Sequence, residues 1–312
     1  MAIKAQDVKE LREKTGLGMM ECKKALVEAN GNLEDAIKNL RKSSALKAEK
    51  KASRTAVEGI ILSKMSNKEI IFVEVNCETD FVAKDENFIN FCEETLKVAV
   101  ETSSDENILK KVSEGMEKQR MSLVQKIGEN IVIRKVKKIT GEVLESYIHS
   151  NKKIAAAVSF EQGSAETAKE VAMHIAASNP KVLSPEDLDE SYISSEREIF
   201  SSQVEKEDKP DEIKEKMIQG KLNKQLADVS LLKQPFVKDP SKSVEVFLSE
   251  SNAKISSFIR IEVGEGIEIE KKDLEVCQTL YRDFMLYCTV SQCFTKAFFS
   301  IKGIYYRVEI MG

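Results

Sequence analysis

The chain has 312 residues, of which 42% are hydrophobic and 32% charged, and its formal net charge is −4 at pH 7. This length supports two or three domains, and the small negative charge excludes a protein that attracts nucleic acid through an overall basic field. No apolar run approaches the roughly 18 residues of a membrane span. The N-terminal sequence lacks the pattern of a signal peptide, so we expect a cytoplasmic protein.

Residues that commonly hold metals or cofactors are scarce and poorly spaced. The cysteines are Cys22, Cys77, Cys92, Cys277, Cys288 and Cys293, and the histidines are His149 and His174. A zinc site needs about four ligands at suitable spacing, and no Cys-x-x-Cys pair is present. The stretch Gly264–Gly266 lacks the third glycine of a dinucleotide fingerprint. We therefore expect free buried thiols, no metal and no cofactor.

Residues 5–45 predict three short helices, each with one apolar stripe at helical spacing. The stripes are Val8 and Leu11; Met19, Cys22, Ala25 and Leu26; and Leu33, Ala36, Ile37 and Leu40. The Thr15–Gly18 turn separates the first two stripes. Gly31 is a natural helix end, and Asn32 is a natural N-cap for the third helix.

A basic stretch follows at residues 41–57. Its cations are Arg41, Lys42, Lys47, Lys50, Lys51 and Arg54, against the single acid Glu49. Clustered cations can neutralise phosphates of a nucleic acid, or they can form a solvated helical connector. No aromatic residue lies between the charges, so bases would have no stacking platform, which favours the connector.

The middle of the chain contains a weak duplication, in which residues 58–75 align with 142–159. Each copy predicts a β-hairpin that turns at an Asn-Lys pair, at residue 67 in the first and residue 151 in the second. A predicted helix follows each hairpin, over residues 87–100 and 166–178. The helices match at a shorter offset than the hairpins do, so the first strand-to-helix connection is about four residues longer.

The extra length falls within Cys77–Asp85, where an apolar strand runs into polar residues and then into Phe81. Loop tips usually carry polar residues, because their backbone meets water. Phe81 beside Asp80 therefore suits insertion into another surface. The alternative is that Phe81 folds back onto its own core as a loop anchor.

Residues 188–228 predict two antiparallel amphipathic helices joined by a short turn. Their apolar residues, set among dense charges, are Ile199, Phe200, Val204, Ile213, Met217, Ile218, Leu222 and Leu226. The break at Asp208–Asp211 divides the two arms, because Pro210 and the acids beside it suit the start of a helix. The chain then predicts a short helix at Val244–Leu248 and a strand at Ile255–Val263.

The composition changes near the C-terminus, where residues 269–312 hold three of the six cysteines and eight of the nineteen aromatic residues. The aromatic residues are Tyr281, Phe284, Tyr287, Phe294, Phe298, Phe299, Tyr305 and Tyr306. We interpret the segment from Cys277 as a lineage-specific extension or as the product of a reading-frame change in the gene.

Five motifs resemble, in the same order, those of the elongation factor Ts family, the guanine nucleotide exchange factors of elongation factor Tu. They are Leu11–Leu26, Glu74–Lys84, Lys126–Ile131, Gln234–Lys238 and Arg260–Gly266. The resemblance extends over roughly residues 2–270. It implies an α+β fold with a three-helix ubiquitin-associated-like module, two similar α+β core subdomains and an inserted helical hairpin.

The resemblance also implies boundaries for these parts. They are a module with its basic linker at 1–55, core subdomain N at 56–139, core subdomain C at 140–187 and 229–268, a hairpin at 188–228 and an atypical tail at 269–312. The hairpin can serve self-association in the family, so a homodimer through it is one expectation, and a solvated hairpin without a partner is the alternative.

The implied activity is GDP release from elongation factor Tu, bound in its GDP and nucleotide-free forms, without covalent catalysis, membrane contact or direct nucleic-acid binding. Thr79, Asp80, Phe81 and Val82 would dislodge Mg²⁺ from the partner. The expected secondary contacts are Arg12, Met19, Met20, Ile127, Gly128, His149 and Val237.

Two other functions are compatible with parts of the sequence. The basic stretch could bind RNA or the ribosome, which would make binding steeply dependent on salt. Cys77 or Cys92 could act with a histidine in a hydrolase, although no nucleophile lies in a recognisable motif.

Overall fold

A computed structural model describes residues 3–205, 207, 209–268, 297–301 and 304–308. The helices of these ranges are α1 (Ala5–Thr15), α2 (Met19–Glu28), α3 (Leu33–Lys51), α4 (Glu86–Glu101), α5 (Ile108–Ile127), α6 (Ala165–Ser178), α7 (Glu190–Val204), α8 (Asp211–Val229) and α9 (Val244–Glu250). The strands are β1 (Glu58–Ser66), β2 (Glu69–Cys77), β3 (Val132–Thr140), β4 (Val143–Ile148), β5 (Ile154–Gln162), β6 (Pro235–Phe236), β7 (Asp239–Ser243), β8 (Lys254–Glu262), β9 (Ala297–Ile301) and β10 (Ile304–Val308). The predicted α+β class is therefore confirmed at this level.

The chain divides into two compact units, residues 1–265 and 266–312. In the second unit, β9 and β10 form an antiparallel hairpin with Ile301 opposite Ile304. The rest of the interpreted C-terminal segment from Cys277 lies outside the described residues. Among the helices described, none is sufficiently long and apolar to cross a membrane.

The three N-terminal helices follow the predicted stripes closely. Gly16 ends α1 in a left-handed conformation with φ of 67°, and its N–H donates to the Arg12 carbonyl. The Asn32 side chain caps α3 by accepting from the backbone N–H groups of Glu34 and Asp35, as predicted. Met19 departs from the predicted apolar stripe only: it is 61% exposed and lies outside the small core that Leu11 and Leu26 fill.

Two three-stranded antiparallel sheets form the centre of the first unit, in the orders β1-β2-β3 and β4-β5-β8. Asn67 and Lys68 both have positive φ, which gives the tight turn predicted between β1 and β2. Lys152 has positive φ in the turn between β4 and β5. Both predicted hairpins are therefore confirmed, and each sheet takes its third strand from later in the chain.

The sheets pack face to face, and helices cover their outer faces. The shared apolar layer contains Ile61, Ile70, Phe72, Ile139, Leu144, Ala155, Ala157 and Ile261. Helices α4 and α5 pack on the first sheet and α6 packs on the second, where α9 contributes Val244 and Leu248 to the same apolar core. As a result β2 is buried along nearly its whole length, since it is central in its sheet and covered on both sides.

Five buried positions of α4 recur in α6 exactly 80 residues later in the numbering. The pairs are Phe88 and Ala168, Phe91 and Val171, Cys92 and Ala172, Thr95 and Ile175, and Leu96 and Ala176. The two helices therefore present the same face to their respective sheets.

The two predicted arms are helices α7 and α8, which run antiparallel. Arg197 contacts Glu215 at 2.5 Å, and Gln225 donates to the Tyr192 hydroxyl at 3.3 Å. Helix α8 begins at Asp211, directly after Pro210. Few residues of this pair are buried, and they include Val204, Ile218 and Leu222.

The sequence predicted only part of the structure around the basic stretch and α5. Helix α3 runs unbroken through Lys51, so the first part of the basic stretch is helical, as the connector interpretation expects. Helix α5 was not predicted, although it packs against both α3 and α4. It brings residues 127–130 beside the end of β2.

Candidate functional site

Two strand-to-helix connections differ in length, and we call them the first corner (Glu78–Asp85, between β2 and α4) and the second corner (Gly163–Ser164, between β5 and α6). The first corner contains a short 3-10 turn over Val82–Lys84. The Asp85 carboxylate then caps α4 by accepting from the N–H groups of Asn87 and Phe88 at 2.9 and 3.3 Å. The second corner ends directly on Ser164, which caps α6.

Neighbouring side chains of the first corner have opposite environments. Phe81 is 75% exposed, whereas Val82 is 8% exposed and joins the core beneath the first sheet with Ala83. Phe81 is therefore not the loop anchor considered as an alternative. Val82 anchors the turn instead, and an apolar ring is left on the surface beside it.

The carboxylate of Glu129 fixes the beginning of the first corner. Its Oε2 accepts from the backbone N–H groups of Glu78 and Thr79 at 3.1 and 3.0 Å, and its Oε1 accepts from the Thr79 hydroxyl at 2.7 Å. Hydrogen bonds to an ionised acceptor are stronger than neutral ones. Glu129 was not predicted as a site residue, since its only signal in the sequence was its place in the Lys126–Ile131 motif.

The Glu78 carboxylate makes the reciprocal contact, from the first corner to the segment after α5. Glu78 Oε1 accepts from the Asn130 N–H at 2.6 Å, and Glu78 Oε2 lies 3.5 Å from Arg54. The Asn130 side chain donates to the Arg54 carbonyl at 2.8 Å, and Lys51 donates to the Gly128 carbonyl. The end of α3, the end of α5 and the first corner thus share one polar network.

Asp80 extends from the outer part of the first corner and keeps its charge. Lys84 donates to its carboxylate at 2.8 Å. This hydrogen bond lowers the pKa of Asp80 from its ordinary value. The corner therefore presents a carboxylate and an aromatic ring side by side.

The remaining site residues lie at several places. Arg12, Met19 and Met20 are exposed on the N-terminal helices, and His149 is exposed in the turn after β4. Ile127 packs partly against the first core, and Gly128 ends α5 with φ of 93°. Val237 is exposed, and its N–H donates to His174 Nδ1 at 3.2 Å. Of these residues, Ile127 and Gly128 join the first corner through the network around Glu129.

The buried cysteines and His174 do not form a nucleophilic site. Burial raises the pKa of Cys77 to about 12, with nearby Glu129 adding to the effect. Burial likewise raises the pKa of Cys92 and lowers that of His174. Both thiols are therefore protonated at neutral pH and poorly nucleophilic. The described residues also contain no cluster of three or more His, Cys, Asp or Glu side chains that could hold a metal.

Two cations of the basic stretch are engaged within the chain. Lys47 pairs with Glu21, which also accepts from Gln125 at 2.9 Å, and Lys51 binds the Gly128 carbonyl. These lysines fasten α3 to α2 and to the end of α5. They are less available to phosphates than the sequence alone suggests.

Comparison with known proteins identifies the family. The model of the family described as Elongation factor TS matches residues 78–265. Elongation factor Ts of Marinobacter nauticus is 51% identical over 274 residues, which cover 87% of this chain and 94% of that protein. The chain belongs to the elongation factor Ts family. Elongation factor Ts of Hahella chejuensis is 48% identical, covering 87% of this chain and 96% of the relative, and that of Vibrio vulnificus is 50% identical, covering 86% and 94%.

Membership of the elongation factor Ts family confirms the activity inferred from the motifs. The protein is a nucleotide exchange factor for elongation factor Tu in translation elongation, it acts in the cytoplasm, and it is not an enzyme. A second family model, described as Pescadillo N-terminus, matches residues 247–312 and overlaps the first over 247–265. That match covers about a fifth of the chain and shows no membership.

Proposed function

We propose that the first corner is the element that releases the nucleotide, with Phe81 as a wedge and Asp80 as the charge beside it. The observation that carries this proposal is the exposure of the Phe81 ring on a base that is fixed from two sides. Val82 holds the base from the core, and Glu129 holds it from the end of α5. Phe81 can therefore press against a partner without folding back onto its own chain.

The thermodynamics of exchange define what the wedge must achieve. An exchange factor binds its partner more tightly when the nucleotide is absent, and by linkage it weakens nucleotide binding by the same factor. Guanine nucleotides are held largely through their phosphates and Mg²⁺. The proposal is that Phe81 parts side chains packed beside the Mg²⁺ site of elongation factor Tu, so that the ion and then GDP are released.

Asp80 contributes a negative charge at the same place. A carboxylate brought next to the partner's ion site reorganises the hydrogen bonds that hold the ligands of Mg²⁺. In the free protein this carboxylate is paired with Lys84, an exposed contact of the kind that is worth little energy in water. Its exchange for a contact on the partner therefore meets little resistance.

The other surfaces are proposed to hold the partner in register. Arg12, Met19 and Met20 would dock the N-terminal module, since methionine side chains adapt readily to a facing surface. His149 and Val237 would contact the partner from the second half of the core. Ile127 and Gly128 would support the wedge from behind.

The architecture is consistent with the expected domain plan. We interpret residues 1–55 as a ubiquitin-associated-like module with its linker, 56–139 as core subdomain N, 140–187 with 229–268 as core subdomain C, and 188–228 as an inserted hairpin. The equal strand orders of the two sheets and the matched buried faces of α4 and α6 support two similar subdomains. The homodimer through the hairpin stays a prediction, for which Ile199 and Ile213 supply exposed apolar surface.

The test is the rate at which fluorescent GDP leaves elongation factor Tu in a stopped-flow experiment. Phe81→Ala is expected to slow release by at least about tenfold, which is roughly 1.4 kcal/mol of lost coupling. Met65→Ala is the matched control, since Met65 is also a large exposed apolar residue but lies at the far end of β1. Unchanged release with Phe81→Ala, at saturating and at low factor concentration, would remove the proposed role.

A further inference from the structure

The first corner has backbone groups that its sheet cannot satisfy. The last paired residue of β2 opposite β3 is Asn76, which faces Val132. The N–H groups of Glu78 and Thr79 lie beyond this point, and the Glu129 carboxylate accepts both of them together with the Thr79 hydroxyl. We propose that Glu129 is a positioning residue for nucleotide exchange, which holds the first corner at the angle that Phe81 requires.

This inference rests on the proposed role of Phe81 and extends it to a residue that does not reach the partner in that scheme. An irregular connection of this length samples many conformations unless contacts remove them, and each residue that is fixed loses conformational entropy. Three charge-assisted hydrogen bonds to one carboxylate offset much of that cost at Glu78 and Thr79. The corner is therefore ordered before the partner arrives, and binding energy is not consumed in ordering it.

The contacts around Glu129 connect two distant segments of the chain, which a local cap does not do. Glu129 binds the backbone of residues 78–79, while Glu78 binds the backbone N–H of Asn130 at 2.6 Å. Each segment thus fixes the other, although they are about fifty residues apart in the chain. The Asn130 side chain also donates to the Arg54 carbonyl at 2.8 Å. These contacts therefore fix the position of the first corner relative to the end of α5 and to the segment after α3.

The chemistry of the contacts predicts which substitutions disrupt them. In Glu129→Gln, the amide oxygen can accept the two backbone N–H groups, and the amide nitrogen can donate to Thr79 Oγ1, because a hydroxyl both donates and accepts. Glu129→Ala removes all three contacts. The proposed role therefore depends on the hydrogen bonds that the side chain at residue 129 can form, and less on its negative charge.

The experiment measures GDP release from elongation factor Tu with the full chain. Glu129→Ala is expected to slow release at least about tenfold at saturating factor, because misplaced contact groups lose rate steeply. Glu129→Gln is expected to restore most of the rate. Glu142→Ala is the control, since Glu142 is an exposed glutamate that pairs with Lys68 away from the corner.

The double variant Glu129→Ala with Phe81→Ala separates positioning from general support of the fold. If Glu129 acts through Phe81, the double variant releases GDP no more slowly than Phe81→Ala alone, because there is no ring left to position. Multiplied effects would overturn the inference, as would a normal rate for Glu129→Ala when Phe81→Ala is slow. A normal rate for Phe81→Ala itself would instead overturn the proposed function.

Thr79 supplies the same test in case Glu129→Ala does not fold. Thr79→Val removes the hydroxyl that donates to Glu129 and that accepts weakly from the Val82 N–H at 3.5 Å, and Thr79→Ser retains it. We expect Val to slow GDP release and Ser to restore it. Equal rates for the two variants would contradict the positioning role.

Discussion

The first and second corners both lead from a strand into a helix, but their backbones are held in different ways. At the second corner Gly163 and Ser164 suffice, and the backbone turns so closely that a Cβ on Gly163 would lie 2.7 Å from the Phe160 ring. At the first corner the connection is Glu78–Asp85, and it is held by the Glu129 carboxylate from outside the turn and by the Glu78 carboxylate, which accepts from the Asn130 N–H. The helices that follow bury the same positions against their sheets.

The difference shows what a projecting loop requires. A short corner is fixed by covalent geometry and packing alone, with glycine where no side chain fits. A long corner can carry an exposed ring, but its backbone must then be held by other contacts. The sheet and the helix that flank each corner are nearly the same. The first corner therefore differs from the second in its projecting ring and in the contacts that hold its backbone.

Within the two corners, the largest effect on stability is expected from substitution of Gly163. Its φ is 142°, and an added Cβ would also lie 2.9 Å from Ala253 Cβ. Backbone strain and overpacking together predict that Gly163→Ala lowers the free energy of unfolding by roughly 2–4 kcal/mol. Urea unfolding followed by circular dichroism measures this loss.

Gly220 provides the opposite control for the same substitution. It lies within α8, and a Cβ there would have no neighbour within 4 Å. Gly220→Ala is expected to raise the free energy of unfolding by up to about 1 kcal/mol, because alanine favours the helix. A Gly163→Ala variant as stable as the parent would show that the second corner is not fixed by its packing.

A smaller effect separates two neighbours in the first corner. Val82 is buried and Phe81 is exposed. Val82→Ala is expected to lower the free energy of unfolding by roughly 1–2 kcal/mol, since it removes two buried methyl groups. Phe81→Ala is expected to leave the unfolding curve unchanged while it slows GDP release, and a destabilised Phe81→Ala would show that the ring packs on its own chain.

The smallest effect concerns a position at which the two helices differ. His174 in α6 is buried, whereas Glu94, 80 residues earlier in α4, is exposed. Burial lowers the pKa of His174 from its ordinary value of 6.5. Its Nδ1 accepts from Val237 N–H, and its Nε2 lies 3.0 Å from Gln234 Oε1, so the neutral ring is favoured.

The lowered pKa of His174 determines the direction in which the free energy of unfolding changes with pH. The unfolded chain binds the proton more readily, so the stability due to His174 is fully present above about pH 6.5 and decreases as the pH falls towards the lowered value. Urea unfolding at several pH values between 7.5 and 5.5 should show the decrease, and His174→Gln should reduce it. A pH dependence that is the same in both proteins would contradict this assignment.

Local signals in the sequence were sufficient for much of the fold. The Asn-Lys pairs predicted both hairpins, and Asn67, Lys68 and Lys152 have the positive φ values of tight turns. Asn32 predicted the start of α3, and its side chain caps that helix. The offset between the two copies predicted that the first connection was the longer one. Phe81 attracted attention because a large apolar ring in a polar loop is unusual.

Contacts between distant segments could not be predicted in the same way. Nothing in the pattern around Glu129 indicates that its carboxylate would bind the backbone of Thr79, because that contact depends on where α5 ends. The apolar spacing of Met19 matched a core stripe, but the arrangement of the three helices leaves it on the surface. Similarly, the charges of Lys47 and Lys51 suggested a free basic surface, and tertiary contacts engage both.

The burial of β2 on both sides has a mechanical consequence for exchange. A ring that pushes into another protein receives an equal push in return, and this reaction is passed down the strand from which the corner extends. Because β2 is central in its sheet and sandwiched between a helical layer and a second sheet, it yields little, as close-packed interiors have low compressibility. Under the proposed role of Phe81, a stiff strand behind the ring would direct the deformation into the partner and leave this chain in its own shape.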